Sequence, residues 1–120
     1  SLYAYTVLHI LESMTPSAAP HSDADRMFEQ AAELFGVMSS AIRLRIIGEL
    51  CHGELNVTQV LERVPATQPN LSQHLATLYR AGVLLKRRDG AQVYYRIGDE
   101  RAAAICRTVC TDIASPDSST

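Results

Sequence analysis

The segment TQPNLSQHLATLYRAGVLLKRRDGAQVYYRI, Thr67 to Ile97, decides the fold. Leu71, Leu75 and Leu78 stand at i, i+4 and i+7, so a helix places all three on one buried face, while Pro69, Asn70, Gln73 and Thr77 point largely the other way. Thr67 is a good N-cap, and Pro69 suits a first turn whose N–H needs no partner. Ala81-Gly82 ends the helix. Val83 to Arg88 reads as a strand, Asp89-Gly90 as a hairpin turn, and Gln92 to Ile97 as the returning strand with alternating sides.

A polar helix face alone is ordinarily solvated surface. The hairpin changes that reading. Between Ala66 and Gly98 lie Arg80, Lys86, Arg87, Arg88 and Arg96 against Asp89 alone, so this segment carries +4 in a chain of net charge −2, and the remainder carries −6. Concentrated positive charge beside a polar helix is the footprint of phosphate contact. Asn and Gln can pair bidentately with adenine in the major groove, and Ser and Thr can meet base edges or phosphates. Gln68, Asn70, Ser72, Gln73, His74 and Thr77 are therefore the candidates to read or position double-stranded DNA, with His74 on an intermediate face that borders the core. Lys86, Arg87, Arg88 and Gln92 are the candidates for phosphate or minor-groove contact.

Outward from this segment the chain is helical. Ser22 and Asp25 suit a capping box ahead of Met27, Phe28, Ala31, Leu34, Phe35 and Met38 at helical spacing. Ser39 or Ser40 caps a second helix, with Ile42, Ile46 and Leu50 on one stripe and Leu44, Ile47 and Cys51 on another, ending at Gly53. Asn56 caps a short helix with Val57, Val60, Leu61 and Val64 inside, and Pro65 turns the chain toward Thr67. Asp99 and Glu100 open a last helix carrying Ala103, Ile105, Cys106, Val109, Cys110 and Ile113.

The string QPNLSQHLATLYRAGVLLKRRDGAQVYYRI, with AELFGVMSSAIRLRIIGEL upstream, resembles the ArsR/SmtB family of bacterial winged-helix repressors over roughly residues 25 to 113. The resemblance implies a mainly α fold with a β-hairpin wing, a winged helix-turn-helix, homodimeric through its first and last helices. It implies operator DNA as partner, reading helices in successive major grooves about 34 to 36 Å apart. Two metal sites familiar in the family fail residue by residue: Glu54 to Thr58 contains no thiol for a Cys-x-Cys site, and residues 99 to 113 contain no His for a zinc site on the last helix.

Three cysteines, an odd number, with no convincing secretory signal point to free thiols in a reducing cytosol. A free cysteine is commonly a small buried hydrophobe. Cys51, Cys106 and Cys110 nevertheless form a candidate sensor. Cys106 and Cys110 share a helix face with Cβ atoms about 5 to 6 Å apart, beyond the ~3.8 Å of a disulfide, so a bridge of extra sulfur or a shared soft ion fits better than a direct bond. The CRTVC spacing is similar to the sulfur-oxidation repressor branch of the family, which implies a persulfide or polysulfide signal linking Cys51 with Cys106 or Cys110. The alternative is arsenite or another thiophilic ion on all three thiolates. No cofactor is expected.

With 120 residues the chain allows one modest core. No apolar run reaches the ~18 residues of a membrane span. There is no Gly-rich phosphate loop, and neither the four histidines nor the acids form a catalytic motif, so an enzyme is not expected. A winged helix used only for protein contact would not need a basic tip. Residues 1 to 13 read as a non-native leader before Met14, residues 14 to 22 as a flexible arm, 23 to 113 as the DNA-binding and dimerisation domain, and 114 to 120 as a disordered tail.

Overall fold

The computed structural model describes residues 2–14 and 22–115. The chain forms two compact units, Ser1–Gln30 and Ala31–Thr120. In the first, α1 (Leu2–Met14) is a helix where the sequence reading assigned none; Tyr5 and His9 stack along it with ring centroids 5.9 Å apart, and Leu2, Tyr3 and Leu8 are exposed. The arm expected over 14 to 22 and the tail over 114 to 120 fall mostly on residues outside those described. Helix α2 (Asp23–Met38) begins as expected: the Asp25 N–H donates to Ser22 Oγ at 3.1 Å, and the Ser22 N–H to the Asp25 carboxylate at 3.3 Å.

The second unit runs from the later turns of α2 through α3 (Ala41–Leu50), β1 (Leu55–Asn56), α4 (Val57–Arg63), α5 (Gln68–Arg80), β2 (Leu84–Asp89), β3 (Gln92–Ile97) and α6 (Glu100–Ala114). Ser40, in extended conformation, caps α3 by accepting the Arg43 N–H; Ser39 does not. The leucine face of α5 is fully buried, as are Ile46 and Ile47 of α3, Val60 and Val64, and Val83 and Leu84. Each such side chain contributes about 1.5–3 kcal/mol relative to exposure, so this contiguous cluster is what seats α5.

The strands form one antiparallel sheet in the order β1-β3-β2. β1 was not expected, because two residues carry no period. It ties the wing to the helices: Leu55 and Asn56 pair with Tyr95 and Tyr94, and Asn56 also caps α4 in a reciprocal box with Gln59, at 2.8 and 2.9 Å. At the wing tip β2 runs on through Asp89, which pairs with Gln92, so the two-residue loop is Gly90-Ala91 and not Asp89-Gly90. Gly90 has φ +63° and no residue other than glycine has positive φ among the described residues, the sign pattern of a type II′ turn.

Where the wing returns to α6 the passage is tight. A Cβ at Gly98 would lie 2.8 Å from Leu85 Cγ and 3.0 Å from the Gly82 carbonyl oxygen, and the Gly98 N–H donates to Val83 O at 2.8 Å. Asp99 then caps α6, accepting the Arg101 N–H at 2.9 Å; its pairing with the Arg101 guanidinium holds the carboxyl below its ordinary range.

Candidate DNA-binding surface and thiol site

Helix α5 is capped by Thr67, whose Oγ1 accepts the Asn70 N–H at 3.4 Å, with Pro69 in its first turn. With the leucines inside, Gln68, Asn70, Ser72 and Gln73 are exposed together. Thr77 is half-buried and its hydroxyl donates to Gln73 O at 3.0 Å, so it is already engaged within the helix. His74 is also half-buried, and Arg43 of α3 meets its Nδ1 at 3.3 Å while bonding Val37 O at the end of α2. Arg43 drew no attention in the sequence, since 31 residues separate it from His74.

The wing sorts its cations by strand alternation. Residues opposite one another share a face, which puts Lys86 with Tyr95 and Arg88 with Val93, but Arg87 with Tyr94. Lys86 lies over the Tyr79 ring at 4.3 Å, so the basic strand meets the end of α5 through a cation–π contact. Tyr79, Lys86, Arg87, Arg88 and Val93 border a cleft of about 240 Å³ between helix and wing. Arg87 is held differently: its guanidinium grips Glu54 through both carboxylate oxygens, at 2.6 and 2.9 Å, and stacks over Tyr94 at 4.5 Å. The hydrogen bonds to Arg87 hold the Glu54 carboxyl below its ordinary range, and those to Glu54 raise Arg87. Arg88 and Gln92 stay exposed. Glu54 was read only as a residue lacking a thiol; its bond to Arg87 spans 33 residues, beyond any local pattern.

The three cysteines are free thiols. Cys106 is buried in α6, donates to Leu44 O at 3.5 Å, and its Sγ lies 3.9 Å from that of Cys110 one turn on. Cys110 is exposed, Cys51 half-buried. Burial, then the hydrogen bond and charge of Cys110, push the Cys106 thiol up to about 11, so Cys106 is protonated at neutral pH. Cys51 caps α3, where its sulfur accepts from Arg107 at 3.8 Å. Among the described residues no group of three His, Cys, Asp or Glu side chains could hold a metal ion, so the three-thiolate shell that arsenite would use on Cys51, Cys106 and Cys110 is not assembled.

Two apolar cavities flank the pair. One, of about 410 Å³, lies against Ala41, Leu44 and Gly48; the other, of about 300 Å³, against Phe35, Met38, Ile105 and Val109 as well as Leu44, and both reach Cys106 and Cys110. Phe35 and Val109 on the wall of the smaller cavity, and Ile113 farther along α6, are exposed.

A buried leucine-faced helix followed by a basic hairpin, docked on a helical core, defines a winged helix-turn-helix DNA-binding regulator. Residues 40–86 match the family model described as bacterial regulatory protein, arsR family. The transcriptional repressor PagR of Bacillus anthracis is 38% identical over 80 residues, 66% of this chain and 80% of PagR. Among solved structures, the transcriptional repressor BigR from Xylella fastidiosa superposes with a TM-score of 0.69 at 29% identity, covering 74% of this chain and 91% of that one. Reduced HlyU from Vibrio cholerae N16961 does so at 0.68 and 29%, covering 72% and 92%. The chain belongs to the arsR family of bacterial regulatory proteins and is a transcriptional repressor of that type. Among the described residues no helix is long and apolar enough to cross a membrane.

Proposed function

We propose that the chain binds operator DNA as a homodimer and leaves it when Cys106 and Cys110 react with a persulfide or polysulfide. Exposed Phe35, Val109 and Ile113 support pairing with a second copy through α2 and α6. Gln68, Asn70, Ser72, Gln73 and His74 then face the major groove, with Thr77 at its edge, and Lys86, Arg88 and Gln92 approach the backbone beside it. The kinship to BigR and to HlyU, solved in a reduced form, supports a redox signal.

The 3.9 Å between the two sulfurs carries the assignment of the thiols. Two S–S bonds of ~2.05 Å put the ends of a trisulfide about 3.3 Å apart, so one inserted sulfur needs far less movement than a direct bond. Exposed Cys110, as thiolate, attacks the central sulfur of trisulfane, HS–S–SH, breaking one S–S bond and expelling hydrosulfide to leave Cys110–S–S–SH. Cys106 gives up its proton, attacks the sulfur next to Cys110, and expels a second hydrosulfide. Two thiols and one trisulfane become one protein trisulfide and two molecules of hydrogen sulfide: the thiols are oxidised and the reagent reduced. Cys51, held by Arg107, takes the lesser part in this scheme.

The test is polysulfide, then arsenite, added to the protein on its operator while mass and affinity are followed. A bridged-sulfur mass within the Cys106–Cys110 peptide with loss of binding is expected. Metalloid stoichiometry without a sulfur adduct, or undiminished release in the triple Cys→Ser variant, overturns the proposal.

A further inference from the structure

The surroundings of the thiol pair select among sulfur donors, and resting on the function just proposed we infer that the larger cavity beside Cys106 and Cys110, walled by Ala41, Leu44 and Gly48, binds an uncharged, lipophilic organosulfur molecule, of the dialkyl trisulfide class. Its volume of about 410 Å³ falls within the range of small-molecule sites, and its walls are largely apolar with a nucleophile on the floor. The charged side chains that line it, Arg45 and Glu49, pair with each other at 3.4 Å, and Arg45 also bonds Arg63 O at 3.2 Å. Arg107, next to Cys106, is turned to Cys51. An anionic polysulfide would therefore shed its hydration shell against a wall whose own cation, Arg45, is already paired with Glu49, whereas a neutral donor loses nothing comparable.

The chemistry balances without another reagent. The Cys110 thiolate attacks the central sulfur of R–S–S–S–R and expels RS⁻, giving Cys110–S–S–S–R. Cys106, losing its proton, attacks the sulfur bonded to Cys110 Sγ and expels the second RS⁻. Two thiols and one dialkyl trisulfide give the protein trisulfide and two RSH.

Gly48 makes this testable. It sits within α3 on the wall of the larger cavity, and a Cβ built on it meets nothing within 4 Å. Leucine there lengthens no loop, favours the helix and fills the space. Full-length protein is treated with diallyl trisulfide or with sodium tetrasulfide, each rate being divided by its rate on a free cysteine peptide, and the Cys106–Cys110 bridge is followed by mass. The neutral donor is expected to react about tenfold faster on this scale. Gly48→Leu should remove that advantage while iodoacetamide labels Cys110 within twofold of its normal rate. Equal normalised rates, or a Gly48→Leu variant that slows neither donor or both alike, overturns the inference. Operator release is read separately: a selective bridge that leaves DNA binding intact upholds the cavity and overturns the switch.

Discussion

Arg43 meets His74 at 3.3 Å through Nη1 and the imidazole Nδ1, so a side chain of α3 fixes a ring on α5, the helix proposed to read DNA. A guanidinium only donates, hence Nδ1 is bare and the ring proton sits on Nε2. His74 is thereby presented as a donor to a base or phosphate acceptor. Glutamine keeps a nitrogen near the Nε2 position and asparagine near Nδ1, so His74→Gln should hold operator affinity within a few-fold and His74→Asn should lose about tenfold, the scale of one hydrogen bond to a charged partner. Arg43→Met should match the asparagine variant in a fluorescence-anisotropy titration. Equal losses for glutamine and asparagine would remove the donor role.

Arg87 spends its guanidinium on Glu54, whereas Lys86 and Arg88 do not. Lys86→Ala and Arg88→Ala should each reduce the slope of log affinity against log salt by about 0.9, the value of one phosphate. Arg87→Ala should leave the slope unchanged and speed amide exchange along β2 and β3. Glu54→Gln should produce the same exchange pattern, and the double variant no more than either. A slope that falls with Arg87→Ala would make it a phosphate ligand.

The thiols should differ in order of reaction. Cys110 is exposed and Cys106 is buried and protonated at neutral pH, so iodoacetamide at about pH 7.5 should label Cys110 first by at least about tenfold, following thiolate access. Tandem mass spectrometry of a time course decides it; Cys106 labelled first would reverse the attack order.

Burial also gives Cys106 a signature in stability. A thiol that titrates near 11 when folded and near 9 when unfolded keeps its proton in the native state while the unfolded chain gives it up. Stability is therefore intact below about pH 9 and falls as pH rises through 11, by at most about 3 kcal/mol. Tyr95, raised by burial, acts in the same direction, so the comparison must be made with Cys106→Ala. That variant should show a shallower alkaline decline in urea denaturation; an identical decline would assign the effect elsewhere.

Phe35→Asp or Ile113→Asp, placing charge on exposed apolar positions of α2 and α6, should shift sedimentation toward monomer and abolish tight operator binding. Unchanged sedimentation would move the dimer contact off these helices.

Much of this was legible in the chain because the informative patterns are local. The leucines of α5, Thr67, Ser22 with Asp25, and Asn56 act within one or two turns, and each capped or buried as its spacing required. Helix α2 was readable as a stripe, yet only packing reveals that Met38 is buried while Phe35 is exposed. What escaped depends on residues far apart in sequence: Glu54 with Arg87, Arg43 with His74, Arg107 with Cys51. Lys86, Arg87 and Arg88 looked like one cluster, and strand alternation divided them. The proximity of Cys106 and Cys110 followed from helical spacing; the cavities beside them did not.

The narrow passage at Gly98 bears on the joint between the wing and the last helix. With Leu85 and the Gly82 carbonyl crowding that point, only a residue without a side chain lets the chain pass between the wing and α6 undisturbed. An alanine there would have to displace Leu85 or the Gly82 backbone, so Gly98→Ala is expected to disturb the seam where the hairpin hands the chain to its last helix.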